Sequence, residues 1–156
     1  MNNPLNTLLG KTFEIDRFST GQQIEALLGS QANKRTGSDF ENWEIKTKMI
    51  GSKSQVTLGG KVTKDINVIL EYVHDKIKNT IFVEYTLNEN KTFTIDKITI
   101  LYGLDKNDFC NRLGNGLLID IHHNSTNLRA SKNNFLSFYG KKTIKYTAWH
   151  ISDYVV

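Results

Sequence analysis

Apolar and polar positions along the chain alternate with two different periods, and the switches between them mark out the elements. Residues 4–9 fit a short helix with Pro4 in its first turn. From Ser19 to Leu28, the spacing of Ile24, Leu27 and Leu28 gives a helical stripe, with Ser19 or Thr20 as cap and Gly29 as stop. Residues 29–38 form a polar loop. A period of two then predicts a strand over 42–50, a turn at 51–54 and a further strand at 55–58. Asp65 caps a predicted helix reaching about Lys78, with Ile66, Ile69, Leu70, Val73 and Ile77 on its buried face. His74 beside that face reads as a partly covered packing residue. Residues 80–87 carry few charges, as a central strand should, and a turn at 88–91 leads into a strand over 92–102. A short helix over 105–113, capped by Asp105 and ended by Gly114, precedes a strand at 117–121. Alternation over 143–150 predicts one more strand.

The strand–helix–strand order of 42–50, 65–78 and 80–87 places the chain in the α/β (α+β) class, with a mixed sheet flanked by helices. At 156 residues the chain is long enough for one domain with its own core. The lone cysteine, Cys110, rules out an internal disulfide and a cysteine-based zinc site, and fits a reducing compartment. No run of apolar residues is long enough to span a membrane, and the N-terminus lacks a signal-peptide pattern, so a cytoplasmic protein is expected. The net charge of +4 points weakly toward a polyanion.

Candidate chemistry concentrates in Ser38-Asp39-Phe40-Glu41-Asn42-Trp43-Glu44-Ile45-Lys46-Thr47-Lys48. On a strand Glu44, Lys46 and Lys48 share one face while Trp43, Ile45 and Thr47 share the other. Asp39 lies five residues before Glu44, within reach of a turn. Two carboxylates beside a lysine can hold a hard divalent cation by oxygen and steady a nucleophilic water. A surface strand with solvated Glu and Lys is the alternative. Glu25 lies off the stripe of its helix, free either to face a cleft or to stand in solvent.

Upstream, Gly21-Gln22-Gln23-Ile24-Glu25-Ala26-Leu27-Leu28-Gly29 gives Gly-x3-Glu-x-Leu-Leu, followed after the loop by Asp-Phe-x3-Glu-Ile-Lys-Thr. The combination resembles the PD-(D/E)XK endonucleases, in the branch of the nicking enzyme MutH and the MvaI/BcnI restriction enzymes. The dense likeness covers residues 21–48, and similarity of element order continues to about residue 121. Where that family often has proline before the first aspartate, this chain has Ser38. The resemblance implies a restriction-endonuclease-like core over about 19–121. It implies Asp39, Glu44 and the Ile45 carbonyl as ligands of Mg²⁺ (Mn²⁺ as a substitute), with Lys46 at the attacking water or phosphate and Glu25 as an auxiliary carboxylate. A compact type II restriction enzyme on double-stranded DNA is the leading expectation. A MutH-like nicking or repair enzyme, a junction resolvase and a non-catalytic DNA-binding module on the same fold are the alternatives. A chain this short could enclose a palindrome as a twofold homodimer, or nick as a monomer.

Two acid-free stretches carry the candidate DNA contacts. Between Glu44 and Asp65 lie Lys46, Lys48, Lys53, Ser54, Lys61 and Lys64, among small hydroxyl residues and glycines suited to phosphate oxygens. From Asn124 to Ile151, within a basic segment over about 122–151, Arg129, Lys132, Asn133, Asn134, Lys141 and Lys142 are interleaved with Phe135, Phe138, Tyr139, Tyr146 and Trp149. Some of those aromatics are expected in the core. His122 and His123 could approach the site from a strand end or simply stand in solvent.

Overall fold

A computed structural model describes residues 4–16, 19–32, 43–113, 117–122 and 125–145. In chain order they form a 3₁₀ turn (Pro4–Thr7), β1 (Thr12–Glu14), α1 (Thr20–Ala32), β2 (Glu44–Met49), β3 (Val56–Lys61), α2 (Ile66–Ile77), β4 (Thr80–Leu87), β5 (Thr92–Leu101), α3 (Lys106–Asn111), β6 (Leu117–His122), β7 (Ser125–Ala130), α4 (Lys132–Ser137) and β8 (Thr143–Lys145). The fold is of the mixed α+β class. Two compact units divide the chain: Met1–Ser52 with Thr80–Ile100 and Ile144–Val156, and Lys53–Asn79 with Leu101–Thr143.

The first unit is built on a sheet of order β1-β5-β4-β2, with β8 also pairing β5. β2 and β4 run parallel in register from Glu44↔Thr80 to Met49↔Tyr85. Thr80, Ile81, Phe82, Val83 and Glu84 are all buried, so β4 is covered on both faces, as its low charge content requires. Phe93 stacks on Phe13 with ring centroids 5.6 Å apart and meets Tyr85 edge-on at 6.2 Å.

Helix α1 buries Ile24 and Leu28, and the Ser19 hydroxyl accepts from the Gln22 N–H at 3.3 Å as its cap. The helix does not stop at Gly29 but continues to Ala32. An interior glycine costs only about 1 kcal/mol, which the buried stripe outweighs. Gly21 is needed for close approach, because a Cβ there would stand 2.8 Å from the Thr47 hydroxyl on β2.

The second unit is a three-stranded antiparallel sheet, β3-β7-β6, with α2 packed on β3 and β7. The Asp65 carboxylate accepts from the Asn67 N–H at 3.0 Å and caps α2, which buries Ile69, Leu70, Val73 and Ile77 while Ile66 is half-covered. His74 is half-buried against Leu104, with its Nε2 2.6 Å from the Leu104 carbonyl oxygen. Strand β3 continues to Lys61 because a bulge between Thr57 and Gly59, with Gly59 at φ +129°, carries the pairing on through two glycines. The expected helix after Asp105 is present as α3, with the Asp105 carboxylate accepting from the Asp108 N–H at 2.9 Å.

Residues 125–142, within the basic segment, are built into the core of this unit. They form β7 and α4, and Thr126, Leu128, Ala130, Phe135, Phe138 and Tyr139 are core. Within the described part of 143–150 the expected strand is present as β8; the remainder lies outside the described residues. Among the described residues no helix is long and apolar enough to cross a membrane.

A helical Gly→Ala exchange ordinarily stabilises by up to about 1 kcal/mol. Gly21→Ala is expected to do the opposite, costing about 1–3 kcal/mol through overpacking against a β-branched side chain. Adding Thr47→Ala should restore most of the loss, measured as Tm by thermal denaturation.

Candidate functional site

In the first unit, helix α1 lies against β2 through the Gly21–Thr47 contact. Glu25 follows Gly21 by one helical turn, on the adjoining part of the same surface. That spacing brings Glu25 to the start of β2. There Glu25, Trp43, Glu44 and Ile45 line a cavity of about 210 Å³, roomy enough for a hydrated cation or several waters.

The parallel register sets which side chains stand together. Glu44, Lys46 and Lys48 share a face with Thr80, Phe82 and Glu84, while Ile45, Thr47 and Met49 share the other with Ile81, Val83 and Tyr85. On the first face the Lys46 ammonium lies 3.3 Å from the Glu44 carboxylate, with the two side chains only 15% and 24% exposed. This pair is partly shielded from water, so its attraction is stronger than that of a surface ion pair. Lys48 is engaged differently: its ammonium donates to the Ser52 carbonyl at 2.8 Å and holds the turn at Gly51.

Of the sequence-derived centre, Glu25, Glu44 and Ile45 thus meet at one cavity, with Lys46 paired to Glu44. Asp39 lies outside the described residues. Among the described residues no three His, Cys, Asp or Glu side chains form a metal-holding group. The residues that line the cavity carry hard oxygen donors, the Glu25 and Glu44 carboxylates and the main-chain carbonyls, which is the ligand type that magnesium and manganese prefer.

Two residues were not singled out by sequence pattern. Trp43 forms a wall of the cavity. Glu84, 5% exposed, is the register partner of Lys48 and lies 3.8 Å from the Lys97 ammonium. The visible signal for Glu84 was that it is the only acid in the strand Thr-Ile-Phe-Val-Glu-Tyr-Thr-Leu.

The candidate DNA contacts of the second unit do not form one patch. Thr126, Leu128 and Ala130 on β7 face the core, and Lys61 pairs with Thr126, putting it on the helix-covered side. There its ammonium sits 5.1 Å from the centre of the Tyr72 ring on α2. Arg129, of opposite parity, points to the other face and pairs with Asp120 at 2.5 Å. Lys132, Asn133 and Asn134 form the first turn of α4, where the Asn134 N–H donates to the Ser131 hydroxyl at 3.3 Å. Phe135, Phe138 and Tyr139 are buried, and the Tyr139 hydroxyl donates to the Ile77 carbonyl. Lys53, Ser54, Lys141 and Lys142 are exposed. His122 ends β6, but its side chain and all of His123, Tyr146 and Trp149 lie outside the described residues.

The chain matches no protein-family model, no curated protein and no solved structure. The geometry around Glu44 therefore carries the functional reading. Trp43 gives that geometry an optical probe. In a Trp149→Phe background, Mn²⁺ is expected to quench Trp43 fluorescence saturably, and Glu44→Gln should weaken the apparent affinity about tenfold or more. Quenching of equal strength in the variant would place the cation elsewhere.

Proposed function

We propose that the chain is a Mg²⁺-dependent DNA endonuclease. The observation that carries this reading is the convergence of Glu25, Glu44 and Ile45 on one cavity, with Lys46 held 3.3 Å from Glu44. Phosphodiester hydrolysis needs negative charge offset on the scissile phosphate and a water aligned opposite the leaving oxygen. Glu44 and the Ile45 carbonyl, with Asp39, would hold the cation, which when bound supplies Lewis-acid charge stabilisation and lowers the pKa of a coordinated water. Lys46 supplies the second positive charge. It reaches the site from the same strand face as Glu44, so carboxylate and ammonium are presented together by a single element. Glu25, on a separate element, would accept a hydrogen bond from a water in the cavity and so orient it. Trp43 walls the cavity, and half-burial of the Glu44–Lys46 pair preserves the field these charges exert.

Double-stranded DNA is the proposed substrate and a type II restriction enzyme the proposed biology. The supports for a polyanionic partner are the net charge of +4 and the exposed Lys53, Lys141 and Lys142.

The test is digestion of unmethylated plasmid by purified protein with Mg²⁺ or with EDTA, alongside Lys46→Ala and Glu44→Gln. Discrete Mg²⁺-dependent fragments are expected from the wild type. Each variant should lose about a thousandfold in cleavage rate or more, since several kcal/mol of charge stabilisation disappear. DNA binding by Lys46→Ala, read by gel shift at low salt, should remain nearly intact. Wild-type cleavage by Lys46→Ala would sink the assignment.

A further inference from the structure

In the second unit, among the described residues, β6 stands at the outer end of the sheet and pairs only with β7. Its register sets Leu117, Ile119 and Ile121 opposite Ala130, Leu128 and Thr126, the buried face of β7. Coverage fails along this line: Leu117 is buried, but Ile119 is 42% and Ile121 63% exposed, and Leu118 on the reverse face is 42% exposed. The core-facing row of the sheet is thus left uncovered at its edge, next to main-chain groups that a further strand can pair. Natural edges are usually guarded by charge, proline or a bulge. The only charge here, Asp120, is paired with Arg129 at 2.5 Å.

We propose that β6 is the interface of a homodimer, pairing antiparallel with β6 of a second copy across a twofold axis. The sequence of the strand argues for its own copy as the occupant. A twofold perpendicular to the sheet preserves the face of every residue, so only positions of equal parity can pair and the axis must pass through a residue. An axis at Asp120 would set two carboxylates directly opposite, which is unfavourable. An axis at Ile119 pairs Leu117 with Ile121, Ile119 with Ile119 and Ile121 with Leu117 on one face. On the other face it sets Asp120 opposite Leu118 and keeps the carboxylates apart. All three pairs on the uncovered core face are then apolar, and the buried row of one sheet runs into that of its partner. Pairing through β6 does not depend on a nuclease activity in the first unit.

Cross-linking tests both the partner and the register. In a Cys110→Ser background, Ile119→Cys places two thiols opposite one another, at the Cα separation that antiparallel pairs and disulfides share. Mild oxidation is expected to give disulfide-linked dimer at least about tenfold faster than for Val62→Cys, an exposed control in the same unit. Adding Ile121→Lys, at a site already exposed, should abolish the cross-link while circular dichroism stays unchanged. Sedimentation of the uncross-linked wild type should show a dimer that Ile121→Lys converts to monomer. Cross-linking of Ile119→Cys no faster than Val62→Cys, or unaffected by Ile121→Lys, overturns the proposal, as does a wild type that sediments only as monomer.

Discussion

The candidate site depends on the parallel register of β2 and β4. Side chains on a strand alternate with a period of two, so a slip of one residue would turn Glu44 and Lys46 to the face of α1 and Thr47 away from it. Burial of β4 on both faces resists that slip. Ile81 and Val83 fill one side and Phe82 the other, and each fits only where it stands. The Gly21–Thr47 contact adds a second lock, because it admits the helix only where β2 presents that side chain opposite a residue without a Cβ. Positioning of the charged groups is therefore set by apolar packing, and the ion pair is its beneficiary.

Burial also determines what the Glu44–Lys46 pair can do. A fully exposed pair would be screened and weakly held, and a fully buried one would be neutralised by its own partner and closed to substrate. At 15% and 24% exposure the two groups keep a strong local field while Glu44 still lines the cavity. Glu84 extends the acidic and basic alternation along the same face through Lys48 and Lys97. The face thus carries more charge than the motif alone suggested.

Most of the fold was legible from residues whose burial has a strong period. The α2 stripe of Ile69, Leu70, Val73 and Ile77, its Asp65 cap and the low-charge run at 80–87 could be read directly. Strand β7 could not, because its inward row is Thr126, Leu128 and Ala130, only one of which is strongly apolar, while Arg129 among them suggests a surface. Helix α4 was hidden by the same basic composition, although Ser131 before it is a good cap. At the site, the side-chain parity of Glu44 and Lys46 followed from spacing alone. The contributions of Trp43 and Glu84 did not, since they arise from which strand pairs with which and from where a cavity opens. Gly29 misled as a helix stop because a glycine signals an end only when no buried stripe carries the helix past it.

The two compact units are not contiguous in the chain. Three stretches build the first and two build the second, and the parallel partners β2 and β4 are separated by the whole of β3 and α2. Such pairing must close a loop of some thirty residues before any ladder bond rewards it. Helix α2 and its neighbour β3 can collapse early, whereas the sheet carrying Glu44 must wait for β4 to be made and brought back. The site would then be among the late-formed parts of the molecule. On a ribosome β2 stays without its parallel partner until residue 87 has been made.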